Sequence, residues 1–291
     1  MTDDRARDLP LDAHLHTDQS PDSNVPIDAY AALAVELGIA ELAITDHVDF
    51  DARDPAYEYT TFADRERVVR EAAERWAVRG VEVRFGVELT YNRRWEADVR
   101  AHLARHRYDF TIGSVHDWPD SPYVDRRVAS WAAGRPLSEI VKPYFDEVAA
   151  AAQSGLFDTI GHFDVVKRYL HPHVLPADLA AQPEVFEPAL RAIAESGTGL
   201  EINSSGLRHR VGEAYPSAAV VARFRELGGR RVTVGSDGHR TDWFAWRLDA
   251  AYAAAGAAGF ESVMFRRGDA PVSVAVPVRF RKQASAPAPP A

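Results

Sequence analysis

The chain has 291 residues, is 46% hydrophobic and carries a formal net charge of −9, so it can bury a sizeable core. Its acidic balance argues against a nucleic-acid surface, since phosphate backbones are held by clustered Lys and Arg. Without cysteine, disulfides, zinc knuckles, iron–sulfur clusters and thiolate catalysis are excluded, and a reducing, cytoplasmic setting is expected.

The first element is "LDAHLH", Leu11–His16. Alternation along a strand puts His14 and His16 on one side, with Asp12 beside them. Further strands are expected at Glu41–His47, Val81–Leu89, Tyr108–His116, Asp158–Asp164, Gly199–Ser205 and Arg231–His239, with an eighth candidate at Ser262–Arg267. Between them lie helical patterns at Ile27–Leu37, Phe62–Arg79, Leu137–Gln153, Glu184–Glu195 and Ser217–Leu227. Gly38, Gly80, Gly155, Gly197 and Gly228 follow these helices or further helix-like stretches and read as C-caps. Strand ends recur at the length of a βα unit, which favours a closed parallel barrel forming one domain over residues 1–280. The tail 281–291, ending "QASAPAPPA", has too little apolar surface to offset its ordering entropy and is expected to be disordered. No apolar run approaches the ~20 residues of a membrane span, and "MTDDRARDLP" is too polar for a signal peptide.

The strands finish in ionisable or polar groups: His14 and His16, Asp46 and His47, Glu88, His116, His162 and Asp164, Asn203, Asp237 and His239. Strand ends of a barrel share one rim. A lone histidine at such a place is usually a hydrogen-bonded rim residue. Six of the 11 histidines gathered beside Glu88 and Asp237 are different, because burying so many ionisable groups is costly unless a cation compensates. With no thiolate available, His, Asp and Glu suit zinc, manganese or iron. His102 and His106, spaced i,i+4, sit among arginines and read as a solvated face; "HPH" at 171–173 reads as a loop, and His209 as substrate-facing or superficial.

The motifs "DAHLHT", "ITDH", "GVE", "GSVH", "GHFD" and "GSDGH", in this order, resemble the polymerase-and-histidinol-phosphatase (PHP) family. "IGHFDVVKRY" and "EINSSGLRHRVGEAYPS" are most similar to its histidinol-phosphatase branch. The resemblance implies a distorted (β/α)7 barrel, a TIM-like α/β fold, around two to three divalent ions (Mn, Fe or Zn) at the C-terminal ends of the strands. It implies that His14, His16, Glu88 and Asp237 hold one metal, and that Glu88 bridges to a second completed by His116 and His162. A third would sit between Asp22, His47 and His239. One common family pattern has histidine at the position of Asp22, and aspartate suits a harder ion such as manganese.

The implied activity is hydrolysis of L-histidinol phosphate, a step in histidine synthesis. Two cations bridged by Glu88 would acidify a shared water, and the hydroxide would attack phosphorus in line. Asp237 would accept a proton as well as ligate, and the third metal or a nearby histidine such as His239 would assist departure of the alcohol. Lys167, Arg168 and Arg208 are candidate phosphate contacts, and Asn203 and Ser205 are candidates for hydrogen bonds to the substrate or to the groups that support the metal ligands. The loop Asp117–Tyr123 is expected to cover the site, with Trp118 and Tyr123 against the substrate's ring. Competing readings are a phosphoesterase acting on nucleotides or another small phosphate ester, and a metal-stabilised scaffold without activity. Metal motifs do not separate histidinol-phosphate hydrolysis from the other phosphoesterase reading; acidic charge counts against nucleic-acid ends, and the near-complete ligand set counts against a scaffold. The partner expected is a small phosphate monoester, with neither nucleic acid nor membrane.

Overall fold

The computed structural model describes residues 6–282; the terminal stretch 283–291, expected to be disordered, lies outside them. Seven parallel staves run in sheet order β1 (Leu11–Leu15), β2 (Glu41–Ile44), β4 (Glu82–Thr90), β5 (Phe110–Ser114), β6 (Thr159–Ile160), β7 (Gly199–Asn203) and β8 (Val232–Gly235). The short β3 (His47–Val48) continues the path of β2 and pairs with β4. Helices such as Ile27–Leu37, Phe62–Ala77 and Leu137–Gln153 carry the chain between staves. Their apolar faces pack on outward strand residues including Leu11, Leu15 and Leu42. Gly38 closes the first helix at φ 70°, a left-handed conformation that glycine adopts without a Cβ clash.

Closure between β8 and β1 is made partly by a side chain. Asp12 lies on the inward face of β1 and accepts hydrogen bonds from Ser236 N at 2.9 Å and Ser236 Oγ at 2.6 Å. Above it, Asp237 N donates to His14 O and His16 N donates to Gly238 O, each at 2.9 Å. The result is the expected α/β barrel, distorted where β8 meets β1. Burial pushes the Asp12 carboxyl up to about 6, against the hydrogen bonds from Ser236 and His14 that favour its charged form.

Several expected strands are shorter than their apolar runs. The fifth, expected over Asp158–Asp164, pairs only at Thr159 and Ile160, because the chain turns sharply at His162, where φ is 23°. The eighth candidate does form a strand, β9 (Ser262–Arg267), but it is not a stave. It makes an antiparallel hairpin with β10 (Ala270–Ala275). That hairpin packs on the opposite mouth of the barrel: Phe265 lies 4.7 Å from Phe110 between ring centroids, Arg266 Nε donates to Asp158 at 2.9 Å, and Arg267 Nη2 to Glu41 at 2.6 Å. Glu41 and Phe110 open β2 and β5, so these contacts all meet strand N-terminal ends. Among the described residues, no helix is long and apolar enough to cross a membrane.

Phe265→Ala removes a fully buried ring from this plug and should destabilise the fold by about 3–5 kcal/mol. Thermal denaturation should register a lower Tm with bound metal and KM unchanged, since the two mouths are separate. Loss of metal at temperatures where the variant is folded would contradict that separation.

Candidate metal centre

The strand ends deliver all nine expected ligand residues to one ring. Glu88, in β4 opposite His47 of β3, sits at its centre. Its Oε2 faces His47 Nδ1 at 3.0 Å and both His14 Nε2 and His16 Nε2 at 3.3 Å. Its Oε1 faces His162 Nε2 at 2.9 Å and His116 Nε2 at 3.3 Å. Each carboxylate oxygen therefore addresses a different set of imidazoles. Asp237 Oδ1 lies 3.5 Å from His16 Nε2 and 3.4 Å from His239 Nδ1. Asp22 Oδ2 lies 3.0 Å from His239 Nε2 and 3.4 Å from His47 Nε2.

Ligand atoms within 4.8 Å of one another form three groups: His14, His16 and Asp237; His47, Glu88 and His116; and His16, Asp22, His47 and His239. This differs in detail from the three sets the resemblance implied. His47 joins Glu88 and His116, and His16 joins the outer group, because His16 stacks between the rings of His47 and His239 at 4.2 and 4.1 Å.

The donor set fits divalent ions. His14 Nδ1 donates to Glu201 Oε1 at 2.6 Å, which turns Nε2 toward His16 Nε2, only 3.0 Å away. Two imidazole nitrogens are held at that distance by a shared proton or by a cation. Burial alone disfavours charge on His14, yet the carboxylates of Glu201, Glu88 and Asp237 outweigh it and hold its pKa well above the ordinary value. His16 is driven the other way, first by burial and then by His239 and His47. Glu88 and Asp237 are held low by the surrounding histidines, against burial that would raise them. A divalent cation satisfies these nitrogens and carboxylates together.

Two groups stand on backbone in the left-handed region, His162 at φ 23° and Asp237 at φ 54°. Such conformations cost free energy unless the surroundings fix them. Here His162 N donates to Glu201 Oε2 at 2.7 Å and Asp237 N donates to His14 O at 2.9 Å.

Sequence reasoning missed Glu201. It is fully buried in the middle of "GLEIN", between apolar neighbours, and a carboxylate there needs partners. Its Oε1 takes the proton of His14, and its Oε2 accepts from His162 N and from Asn203 Nδ2 at 3.1 Å. Gly235, at the end of β8, leaves room for this: a Cβ there would lie 2.4 Å from His14 Cβ and 2.6 Å from Glu201 Oε1.

Seven of the nine ring residues, all but the fully buried His14 and His16, line the floor of a cavity of about 870 Å³. Arg168, Arg208, Asp117 and Tyr123 line it, as expected of residues near the substrate. Arg208 donates from Nη1 to Ser236 O at 2.8 Å and from Nη2 to Asp237 O, and its guanidinium covers Trp243 at 4.6 Å. Three expectations need correction. Lys167 is 1% exposed and does not reach the cavity, because its ammonium pairs with Asp164 at 2.7 Å and Glu213 at 2.6 Å. Asn203 does not line the cavity to meet substrate; it takes its other expected role behind the ring, bonded to Glu201 and, at 3.4 Å, to Asp237 Oδ2. Trp118 is a core residue edge-on to Tyr144, whereas Tyr123 packs on Tyr169 at the cavity wall.

The other histidines lie apart from the ring. His106 stacks on Phe62 at 4.2 Å and His102 Nε2 lies 2.8 Å from the Tyr108 hydroxyl, so this pair is half-buried packing and not a solvated face. His209 neither lines the cavity nor lies free at the surface; it approaches the Tyr215 hydroxyl at 3.3 Å, and burial with the nearby Arg168 and Arg208 lowers its pKa to about 4. His171 and His173 occupy a turn.

A family model described as the PHP domain matches residues 12–205, about two thirds of the chain. The chain belongs to the PHP domain family. A probable histidinol-phosphatase of Deinococcus radiodurans is 31% identical to this PHP protein over 264 residues, spanning 88% of this chain and 96% of the relative. A histidinol-phosphatase of Lactococcus lactis is 25% identical over 245 residues, 81% of this chain and 87% of the relative. Among solved structures, the histidinol phosphate phosphatase of Lactococcus lactis, complexed with zinc, L-histidinol and phosphate, superposes with a TM-score of 0.74 at 22% identity, covering 89% of this chain and 97% of that one. The PHP barrel fold is thereby shared.

Glu201→Gln keeps the size of the side chain but removes the charge that orients His14. The metal affinity of this PHP domain should fall about ten- to a hundredfold, measured as metal retained after dialysis against graded chelator, with the circular dichroism spectrum intact. Wild-type affinity would show that His14 needs no such partner.

Proposed function

We propose that this PHP protein is a metal-dependent phosphomonoesterase that hydrolyses L-histidinol phosphate to L-histidinol and phosphate. One observation carries the reading: three groups of nitrogen and carboxylate ligand atoms floor a cavity whose wall bears Arg168 and Arg208. The histidinol-phosphatases among its relatives, matched over most of their length, support this choice of ester. The nine ring residues would hold two to three divalent ions, manganese, iron or zinc. Such ions supply Lewis acidity, lowering the pKa of water toward neutrality and offsetting charge on the phosphoryl oxygens.

The chain's own residues do the rest. Glu88, with one oxygen toward His116 and His162 and the other toward His14, His16 and His47, fixes the two inner groups at a set separation. Asp237 lies on the cavity side of the ring and accepts the proton of the attacking water. His239, beside Asp22 at the outer edge, assists departure of the alcohol. Arg168 and Arg208 bind the phosphate dianion, and Asp117 with Tyr123 faces the cationic, aromatic end. Hydrolysis in this scheme needs no phosphoenzyme, and the setting is cytoplasmic.

Phosphate release from histidinol phosphate should require added manganese, iron or zinc after chelation and should exceed release from an uncharged monoester. A relative named only a probable phosphatase, from Edwardsiella ictaluri and 28% identical over 234 residues, favours a second outcome. Equal rates on both esters would assign a general small-ester phosphatase, and full turnover of chelated protein would reject the metal-dependent scheme.

Asp22 sets the character of the outer group. Asp22→His should retain activity while shifting the best-supporting metal from manganese toward zinc or iron, since imidazole is the softer ligand. Activity titrations with each metal check this, and an unchanged profile with unchanged metal content would remove Asp22 from the ligand set.

A further inference from the structure

The chemistry above makes no use of the charge cluster around Lys167. This lysine follows "GHFD" on the loop that also carries His162 and Arg168. Its ammonium is sealed from solvent between Asp164 and Glu213, with the Tyr215 ring 5.4 Å away. Glu213 belongs to a different segment, the excursion after β7 that presents Arg208 and returns at Tyr215. That excursion is closed at its base by paired backbone hydrogen bonds between Asn203 and Tyr215, each 2.9 Å. Among the described residues, Lys167 to Glu213 is the only side-chain hydrogen bond between loops 161–170 and 204–215.

These two loops need a tie. Arg168 is exposed at the cavity wall, and among the described residues its side chain makes no hydrogen bond or ion pair. Arg208, on the other loop, lines the same cavity and donates to Ser236 O at 2.8 Å and to Asp237 O. Two guanidinium groups on separate loops thus face a common space while repelling each other. Arg208 is anchored on the end of β8, whereas Arg168 depends on its loop for its position.

We propose that Lys167 is a positioning residue of the phosphate pocket, clamping the Arg168 loop to the Arg208 loop through its bridge from Asp164 to Glu213. The proposal rests on the reading of Arg168 and Arg208 as phosphate contacts. Lys167 touches no substrate; it sets how far apart the two arginines stand. The expected signature is weaker binding of phosphate with the metals and the chemical step preserved.

The test uses the full-length, metal-loaded protein and inorganic phosphate as probe, with affinity measured by calorimetry. KM and kcat for the preferred monoester, metal content and Tm are measured alongside. Lys167→Met and Glu213→Gln should each weaken phosphate roughly tenfold, the scale of a single charge-assisted hydrogen bond, and raise KM in parallel, with metal content unchanged. Lys167→Arg, whose guanidinium can span the same two carboxylates, should recover most of the affinity. If Lys167→Met fails to fold, Glu213→Gln still decides, because that carboxylate is 31% exposed and its replacement leaves no large void. Wild-type phosphate affinity in a folded Glu213→Gln variant would overturn the clamp. Arg168→Ala separates the levels. Unchanged affinity there would overturn the pocket assignment and the clamp together, while weakened affinity there alone would overturn only the clamp. The phosphatase reading itself stands or falls on phosphate release, not on these affinities.

Discussion

The Glu88 carboxylate is sealed from water among five imidazole nitrogens at 2.9 to 3.3 Å. An isolated carboxylate in that position would be neutral, since burial penalises its charged form heavily. It stays charged because the histidines arrive from β1, β3 and the segments after β5 and β6, which only a closed parallel barrel brings to one rim. The need to surround one anion thus ties the arrangement of the site to the closure of the barrel. Asp12 and Ser236 join the first and last staves directly beneath the ring, where a missing link would spread the histidines apart.

The two mouths of the barrel solve different problems. At the lower mouth, carboxylates such as Glu41 and Asp158 meet arginines of the β9–β10 hairpin, and these charges are paired. At the upper mouth, carboxylates outnumber local arginines and face imidazoles, leaving a demand for cations that the chain does not meet by itself. The contrast follows from backbone direction, because each strand turns into an irregular segment at its C-terminal end, and irregular backbone can aim side chains inward.

Much of this was legible in the sequence, for a physical reason. A buried strand is apolar, so an ionisable residue at its end stands out, and His14, His47, Glu88, His116, His162 and Asp237 were all visible in that way. Strand limits were less legible: the expected run over Asp158–Asp164 persists beyond the ladder into the turn at His162, where left-handed backbone follows the last paired residues. Glu201 escaped notice because it sits inside a strand and not at its end, although the cost of burying it was a usable signal. Lys167 misled because charge type does not reveal orientation. It shares a loop with Arg168, yet one points into the protein and the other into the cavity. His102 and His106 misled in the same manner, since flanking arginines suggested solvent where Phe62 and Tyr108 provide packing. The hairpin strand β9 had the right composition for a stave, and only the closure of β8 onto β1 excludes it.

Gly235 is not among the glycines at positive φ, so its own conformational freedom does not account for it. What forbids a side chain there is volume already taken by His14 and Glu201. A single added methyl group would push the imidazole off its carboxylate or the carboxylate off its imidazole. The position therefore acts as a spacer, a place where an atom's absence is what sets the aim of a neighbouring ligand. Natural drift there would silence the site through a residue whose side chain takes part in no bond of it, and a survey restricted to polar side chains would never find it.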